Sequence, residues 1–293
     1  MHAIALYNSK GGVGKSTLTL FFADFLASLQ VAGRPLRVLV IDLDAQGSSS
    51  TALLGAVVTQ QARQASHTIG HLALQLAEGQ QPTLEPFLLL RPQSPGGHPP
   101  LPTVAVLLPE RESIFNFDAN PLQSLTLLLR TLKPALARRF DVVLLDLPGG
   151  LDERHLLAIN ALVMSDSVVV PIEPTRLAIH ALPETVRMIQ YVQGIHGQGA
   201  PHFLGLILNR TDRRSRQFRL HVSGMVQHFQ KSGTPCFDNF LPNAPELANA
   251  TDDTLAVQSL RERYGGYYPH VKRVVKELFD RWQAIPTGQP TNP

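Results

Sequence analysis

The chain has 293 residues, of which 44% are hydrophobic and 17% charged, a balance typical of a globular protein with a substantial core. No apolar run reaches the roughly 18 residues that a membrane-spanning helix needs, and we expect no signal peptide. The single cysteine, Cys236, excludes an internal disulfide and a cysteine-rich metal or iron–sulfur site within one chain. A formal charge of +3 allows an anionic partner without requiring one. We therefore expect a cytoplasmic globular protein.

Short β-rich apolar runs alternate along the chain with longer helical patterns. The expected strands are residues 3–7, 37–41, 104–108, 141–145, 167–172, 203–208 and, less regularly, 235–240. The expected helices are residues 15–32, 122–138, 152–164, 176–195, 213–231 and 271–282. Several strand runs lack in–out alternation, which predicts burial on both faces. The pattern predicts an α/β fold with a doubly wound, mainly parallel sheet and helices on both faces.

Residues 82–102 interrupt this pattern with seven prolines. Residues 95–100 can form neither a helix nor a central strand, because proline lacks the N–H group that both require. A strand-like run follows at once, so we interpret 82–102 as a surface excursion from a single domain over residues 1–285. A linker between two domains is the alternative. The polar residues 286–293 predict a flexible tail.

A glycine-rich segment, residues 9–17, lies between the first expected strand and the first expected helix. Its second half matches the phosphate loop G-x-x-x-x-G-K-[ST], whereas Ser9 takes the place of the first glycine. Such a loop turns successive backbone N–H groups toward phosphate oxygens. The residues expected to bind a nucleoside triphosphate are Gly11, Gly12, Val13, Gly14, Lys15, Ser16 and Thr17. Lys15 is expected to reach the β- and γ-phosphates and Ser16 to ligate Mg²⁺. The alternative is a glycine-rich turn with a chance lysine.

The segment from Lys10 to Ser16 resembles the deviant Walker A motif of the ParA/MinD ATPases, and the chain is most similar to the short ParA partition ATPases. The resemblance extends over most of the chain. It implies an ATP-bound homodimer in which Lys10 reaches the nucleotide of the partner subunit. The alternative for Lys10 is a solvated surface lysine, which is the usual environment of lysine.

Acidic residues stand where two expected strands end, and such ends face the ligand crevice of a parallel sheet. Asp42 and Asp44 belong to a segment that resembles the family's D-x-D-P-Q-G-N, with Ala45 in place of proline. By that resemblance Asp44 orients or activates the attacking water, and Asp42 lies near the metal or braces the loop. Asp146 fits the Walker B pattern and is expected to hold Mg²⁺; a strand-end turn residue is the alternative. Gly149 replaces the second proline of the family's D-x-P-P and predicts a more flexible loop.

Asn209 opens an Asn-Arg-Thr-Asp segment after the strand at 203–208, and this segment has three interpretations. It matches the N-K-x-D form that reads guanine, it resembles the ParA segment whose asparagine contacts adenine, or it is a polar turn. The phosphate-loop type favours adenine. Pro242, after the last expected strand, is a candidate for a second contact with the base.

Five arginines crowd residues 210–219. At this density arginines can neutralise DNA phosphates without reading the base sequence. The four expected to contact DNA are Arg213, Arg214, Arg216 and Arg219. The alternative is a solvated helix face, which charge runs usually are.

Together these patterns predict a Mg²⁺-dependent ATPase with slow turnover, because phosphoryl transfer needs mainly positioning and charge neutralisation. The resemblance implies a homodimer switch that binds nonspecific DNA in plasmid, chromosome or mobile-element partition, stimulated by a centromere-binding or other activator protein. A ParA-like ATPase that positions a conjugation, secretion or cellulose-synthesis apparatus is one alternative. A metabolic enzyme of the amidoligase or dethiobiotin-synthetase kind is another. We do not expect a membrane partner, and DNA binding would imply localisation at the nucleoid.

Overall fold

The computed structural model describes residues 1–93, 101–120, 122–175, 180–197, 199–212, 233–252 and 259–285. Several sequence predictions fall outside these ranges. They include the helix at 213–231 with Arg213, Arg214, Arg216 and Arg219, the tail at 286–293, and residues 94–100 of the proline-rich segment.

A seven-stranded sheet lies at the centre of the described residues. The strands of the chain are β1 (His2–Leu6), β2 (Gln30–Val31), β3 (Arg34–Pro35), β4 (Val38–Asp42), β5 (Leu89–Leu90), β6 (Val104–Leu107), β7 (Val142–Asp146), β8 (Ser167–Ile172) and β9 (His202–Leu208). The sheet has the order β5-β6-β4-β7-β1-β8-β9, and only β5 runs antiparallel to its neighbour. β2 and β3 form a separate ribbon. The predicted, mainly parallel sheet is confirmed, and six expected strands have ends within one residue of those observed.

Helices occupy both faces of this sheet. They are α1 (Lys15–Ser28), α2 (Ser48–Leu54), α3 (Ala56–Gln64), α4 (Ile69–Ala77), α5 (Arg111–Asp118), α6 (Leu127–Arg130), α7 (Leu132–Ala137), α8 (Leu156–Met164), α9 (Leu182–His196), α10 (Pro245–Asn249), α11 (Leu260–Tyr264) and α12 (Tyr268–Gln283). Successive side chains of a strand point to opposite faces. In β1, Ala3 and Ala5 pack into one hydrophobic core with α8, whereas Ile4 and Leu6 pack into a second with α1. The doubly wound fold is therefore confirmed.

The expected strand at 235–240 is wrong, because these residues form only one isolated bridge, between Cys236 and Leu206 of β9. Side chains of α12 take the backbone groups that a strand partner would need. Glu277 accepts the backbone N–H groups of Asp238 and Asn239, and Arg281 donates to the carbonyl of Cys236. The backbone is thus satisfied without a continuous ladder.

Three expected helices also differ from the observed ones, and the one expected at 152–164 begins only at Leu156. The helix expected at 15–32 ends at Ser28, since the next residues enter the β2–β3 ribbon. The helix expected at 122–138 is split at Thr131 into α6 and α7. Pro134 accounts for the split, because it lacks the N–H that would bond to Arg130 and its ring crowds that carbonyl.

The described part of the proline-rich excursion is more ordered than its composition predicts. It contains a 3₁₀ turn at Glu85–Phe87 and the edge strand β5. Arg91, directly after β5, is 4% exposed, and its guanidinium forms an ion pair with the buried Asp24 of α1. This buried ion pair ties the excursion to the helix that follows the phosphate loop.

The last helix, α12, packs its apolar face against α1 and also contacts β9. Its buried residues are Val271, Val274, Val275 and Leu278. Among the described residues, no helix combines the length and apolar character that crossing a membrane requires.

Candidate functional site

The phosphate-loop segment links β1 to α1 at the carboxyl edge of the sheet. Gly12 and Gly14 have φ angles of 79° and 90°, which favour glycine. At Gly14 an added Cβ would also lie 2.1 Å from Nδ2 of Asn209. Lys15, the first residue of α1, lies 3.5 Å through its Nζ from the carbonyl oxygen of Asn8. Burial lowers the pKa of Lys15, whereas nearby carboxylates raise it. The segment thus forms a tight cradle with a buried cation.

Ser9, which replaces the first glycine of the motif, ties the phosphate loop to α9. Its backbone N–H donates to Oγ1 of Thr185 at 3.0 Å, and its hydroxyl donates to the carbonyl of Ala181 at 3.1 Å. Asn8 continues the network by accepting the N–H of Lys10 at 2.8 Å and donating to the carbonyl of Pro171 at 2.7 Å. The base of the loop is therefore held by buried hydrogen bonds to two other elements.

Two fully buried carboxylates, Asp42 and Asp146, are partners in the register of β4 and β7. Asp42 accepts the backbone N–H of Ser50 at 2.9 Å and its hydroxyl at 2.7 Å. Burial raises the pKa of Asp42 to about 6 despite these bonds. Burial, together with the charge of Asp42, raises the pKa of Asp146 to about 7. Hydroxyls of Ser16 and Ser49 near Asp146 oppose the rise, yet no well-formed hydrogen bond reaches either oxygen of Asp146.

This carboxylate pair fits a hard divalent cation. Buried oxygens without donors are costly, and two neighbouring carboxylates repel unless a positive charge joins them. The described residues contain no group of three or more His, Cys, Asp or Glu side chains placed to enclose a metal. Mg²⁺ suits such a sparse site, because it keeps several waters and takes further oxygens from phosphates.

A cavity of about 730 Å³ opens over the phosphate loop. Its lining residues are Ser9, Gly11, Gly12, Gly14, Lys15, Ser16, Thr17, Asp44, Gln46, Ser48, Ala52, Pro148, Gly149, Gly150, Arg210 and Thr251. Asp44 is half-buried, and its Oδ1 accepts the N–H of Gln46 at 3.0 Å. Asp42 and Asp146 lie beneath the surface. Lys10 and Val13 also stand apart from the lining residues, although both belong to the loop.

Asn209 and Pro242, the two residues expected to contact the base, lie in neighbouring segments. The bridge between Thr211 and Pro242 joins their segments, with the N–H of Thr211 donating to Leu241 at 3.0 Å. Asn209 is 3% exposed, and its Nδ2 donates to the carbonyl of Val13 at 2.9 Å. Its side chain therefore braces the phosphate loop in this structure, and a contact with the base stays a prediction.

Two site residues were missed from sequence. Arg210 lines the cavity, where its Nη1 donates to the carbonyl of Gly12 at 2.9 Å and pairs with Glu173 at 3.1 Å. The position of Arg210 directly after Asn209 could have indicated a place in the site, but Arg210 also belongs to the arginine run at residues 210–219. Thr185, in α9, supports the loop through Ser9 and carries no motif.

The loop after β7 packs directly on the phosphate loop. The N–H of Gly150 donates to the carbonyl of Ser9 at 2.7 Å. A Cβ at Gly149 would lie 3.1 Å from the backbone nitrogen of Gly11. Glycine at this position therefore allows a close approach, while the greater flexibility expected of this loop stays a prediction.

The sequence over residues 1–198 matches the protein family described as AAA domain. The chain belongs to this family. Among proteins similar to this chain, the chromosome-partitioning ATPase Soj of Thermus thermophilus is 28% identical over 248 residues, covering 84% of this chain and 83% of Soj.

Solved structures show the same fold. ParA of pNOB8, in a structure bound to nonspecific DNA, superposes with a TM-score of 0.68 at 20% identity, covering 97% of this chain and 99% of that one. Cobyrinic acid a,c-diamide synthase from Mycobacterium smegmatis superposes with a TM-score of 0.68 at 19% identity, covering both chains fully at 100%. Together with Soj, these matches confirm the predicted ParA/MinD-type P-loop ATPase and its fold.

Proposed function

We propose that this protein is a ParA-like ATPase that forms an ATP-dependent homodimer, binds nonspecific DNA and acts in the partition of a plasmid, chromosome or mobile element. The observation that carries the proposal is the buried pair Asp42–Asp146 beneath a phosphate loop that contains Lys15. The similarity to a chromosome-partitioning ATPase supports it. Hydrolysis to ADP and phosphate resets the switch, and turnover is slow.

The residues of the loop have distinct roles in this proposal. The backbone of Gly11–Thr17 holds the phosphates of ATP, and the Lys15 ammonium neutralises their charge. Ser16, Asp42 and Asp146 hold Mg²⁺, which supplies charge neutralisation at the phosphates when bound. Asp44 orients the attacking water. Lys10 acts on the nucleotide of the partner subunit, which agrees with its place outside the cavity lining.

DNA binding and a protein activator complete the proposed cycle. Arg213, Arg214, Arg216 and Arg219 contact DNA phosphates, although they lie outside the described residues. The structurally similar ParA of pNOB8 was solved with nonspecific DNA, which supports this step. A salt titration of DNA affinity tests it. We expect affinity to fall steeply with salt and to require ATP. An affinity that ATP leaves unchanged would contradict the switch.

Light scattering tests the homodimer directly. The molar mass is measured with ADP and with ATP in an Asp44→Ala background, in which slow hydrolysis preserves the ATP state. We expect the mass to double with ATP only, and a further Lys10→Ala substitution to prevent the doubling. A mass that does not respond to nucleotide would remove the dimer switch.

A metabolic enzyme of the amidoligase kind is the second candidate, because cobyrinic acid a,c-diamide synthase shares the fold to the same degree as ParA of pNOB8. Such an enzyme has no role for Lys10. A Lys10→Ala variant that keeps full ATPase activity would favour it. Loss of activity on this substitution favours the partition ATPase.

A further inference from the structure

Arg63, near the end of α3, lies against the turn that carries Asp44. Its Nε donates to the carbonyl of Pro109 at 3.0 Å, two residues beyond β6. Its Nη2 rests on Gly47, where an added Cβ would lie 2.3 Å from that nitrogen. The guanidinium therefore spans from the end of one strand to the loop that follows the neighbouring strand, β4.

Short bonds connect Gly47 to Asp44. The backbone N–H of Gly47 donates to the carbonyl of Asp44 at 2.8 Å, and the Asp44 side chain accepts the N–H of Gln46 at 3.0 Å. Gly47 has a φ of 67° and is the N-cap residue of α2. A shift of Gly47 would therefore be passed to Asp44, three residues away.

The cost of placing Arg63 here indicates more than packing. Its Nη2 is buried without a hydrogen-bond partner, and leaving a buried donor unpaired destabilises the fold, the more so when the group is charged. An apolar side chain of similar length would fill the space without that cost. Only an anchored guanidinium combines the bond to Pro109 with a rigid plane against Gly47.

We propose that Arg63 is a positioning residue for ATP hydrolysis. Anchored on the carbonyl of Pro109, its guanidinium holds the turn from Asp44 to Gly47 so that Asp44 meets the attacking water. The inference rests on the proposed function, in which Asp44 orients that water. Arg63 itself touches neither the nucleotide nor the water.

The test compares Arg63→Met and Arg63→Lys with the matched control Arg187→Met. Arg187 also donates its Nε to a proline carbonyl, that of Pro183 at 3.3 Å, but on the exposed surface of α9. We expect Arg63→Met to lower kcat about tenfold or more, because small displacements of a positioning group can cost up to about 100-fold. ATP affinity should stay unchanged. The kcat of Arg63→Lys should lie between those of Arg63→Met and wild type, and the kcat of Arg187→Met should equal that of wild type.

A double substitution separates this inference from the proposed function. In an Asp44→Ala background, Arg63→Met should lower kcat no further, because the residue through which it acts is gone. If Asp44→Ala alone hydrolyses ATP at the wild-type rate, the proposed role of Asp44 fails and the inference fails with it. If Asp44→Ala is slow but Arg63→Met has the kcat of wild type, only the inference is overturned. The same holds if Arg63→Met lowers the kcat of the Asp44→Ala protein by the same factor as that of wild type. Should Arg63→Met not fold, Arg63→Lys decides by the same comparison.

Discussion

Asp146 combines full burial with two carboxylate oxygens that lack hydrogen-bond partners. A carboxyl whose pKa is raised by folding stabilises the protein fully below its unfolded value, and this stability is lost as pH rises through the folded value. For Asp146 that window runs from the ordinary value of 3.8 to about 7. The charged carboxylate therefore weakens the nucleotide-free protein at neutral pH, and a bound cation would offset the cost.

An Asp146→Asn variant tests this balance. Without nucleotide at pH 8, we expect a higher Tm than wild type, with a gain on the order of 2 kcal/mol in the free energy of unfolding. The gain should shrink as pH falls toward 4. Addition of Mg²⁺ and ATP should stabilise wild type more than the variant. Thermal unfolding measures all three effects, and a lower Tm for the variant at pH 8 without nucleotide would contradict them.

Asp24 is also a buried carboxylate but, unlike Asp146, it forms ion pairs with two arginines, Arg91 and Arg263. Their guanidinium groups pair with its two oxygens, and the hydroxyl of Tyr264 donates to it at 2.6 Å. Asp24→Asn would leave two buried cations without their counterion, so we expect a loss of about 3–5 kcal/mol in the free energy of unfolding. Urea denaturation measures it.

The control for Asp24 is Asp280→Asn, which breaks the exposed ion pair between Lys276 and Asp280. Exposed pairs of this kind contribute about 0–1 kcal/mol. A small loss for Asp24→Asn, similar to the control, would show that the buried cluster does not hold the excursion to α1.

At the level of elements, the hydrogen bonds between the phosphate loop and α9 are expected to contribute to the free energy of unfolding and not to ATP affinity. Thr185→Val keeps the shape but leaves the N–H of Ser9 without its acceptor. We expect a loss of about 1–3 kcal/mol in the free energy of unfolding. A change in side-chain volume contributes little to this loss, because valine and threonine are nearly equal in size.

Ser9→Gly provides the comparison, because it restores the standard motif while keeping the backbone bond to Thr185. It should cost less than Thr185→Val and leave ATP affinity intact. Denaturant unfolding and equilibrium ATP binding measure the two quantities. Equal losses for both variants would mean that the Ser9 hydroxyl, rather than its N–H, secures the loop.

Some elements were predictable from sequence and others were not, for identifiable reasons. β1, β4 and β7 are continuous apolar runs followed by polar residues, so the sequence reveals these strands. It also reveals the aspartates at the ends of β4 and β7. By contrast, the N-cap residues of α2 and α3 are Gly47 and Gly55, which offer no side-chain cap. The roles of Arg63 and Thr185 depend on partners distant in sequence, and no local motif reveals such contacts.

At the scale of the whole molecule, His2 joins the first strand to the last helix. Its ring stacks on Trp282 at 5.0 Å, and its Nε2 lies 2.9 Å from Oγ of Ser167. The pKa of His2 is lowered to about 4, mainly by burial; the charge of Asp166 opposes the change, and that of Lys133 contributes to it. The neutral ring is therefore the form that suits the folded protein.

The sign of the resulting pH dependence follows from linkage. With a depressed folded pKa, the stability that His2 contributes is present above its ordinary value of 6.5 and is lost as pH falls toward about 4. We expect a His2→Gln variant to lose less stability than wild type between pH 6.5 and 4. Urea unfolding of both proteins across this range measures the difference, in which the contributions of other groups cancel. Parallel curves would contradict the assignment.

The stack of His2 on Trp282 has a consequence for spectroscopy. Trp282 is the sole tryptophan of the chain, and it lies where the final helix meets the first strand. Its fluorescence therefore reports one event, the entry of water between α12 and β1. If nucleotide tightens the molecule as a unit, the emission should shift to the blue on ATP binding, although the indole lies at the edge of the sheet opposite the phosphate loop.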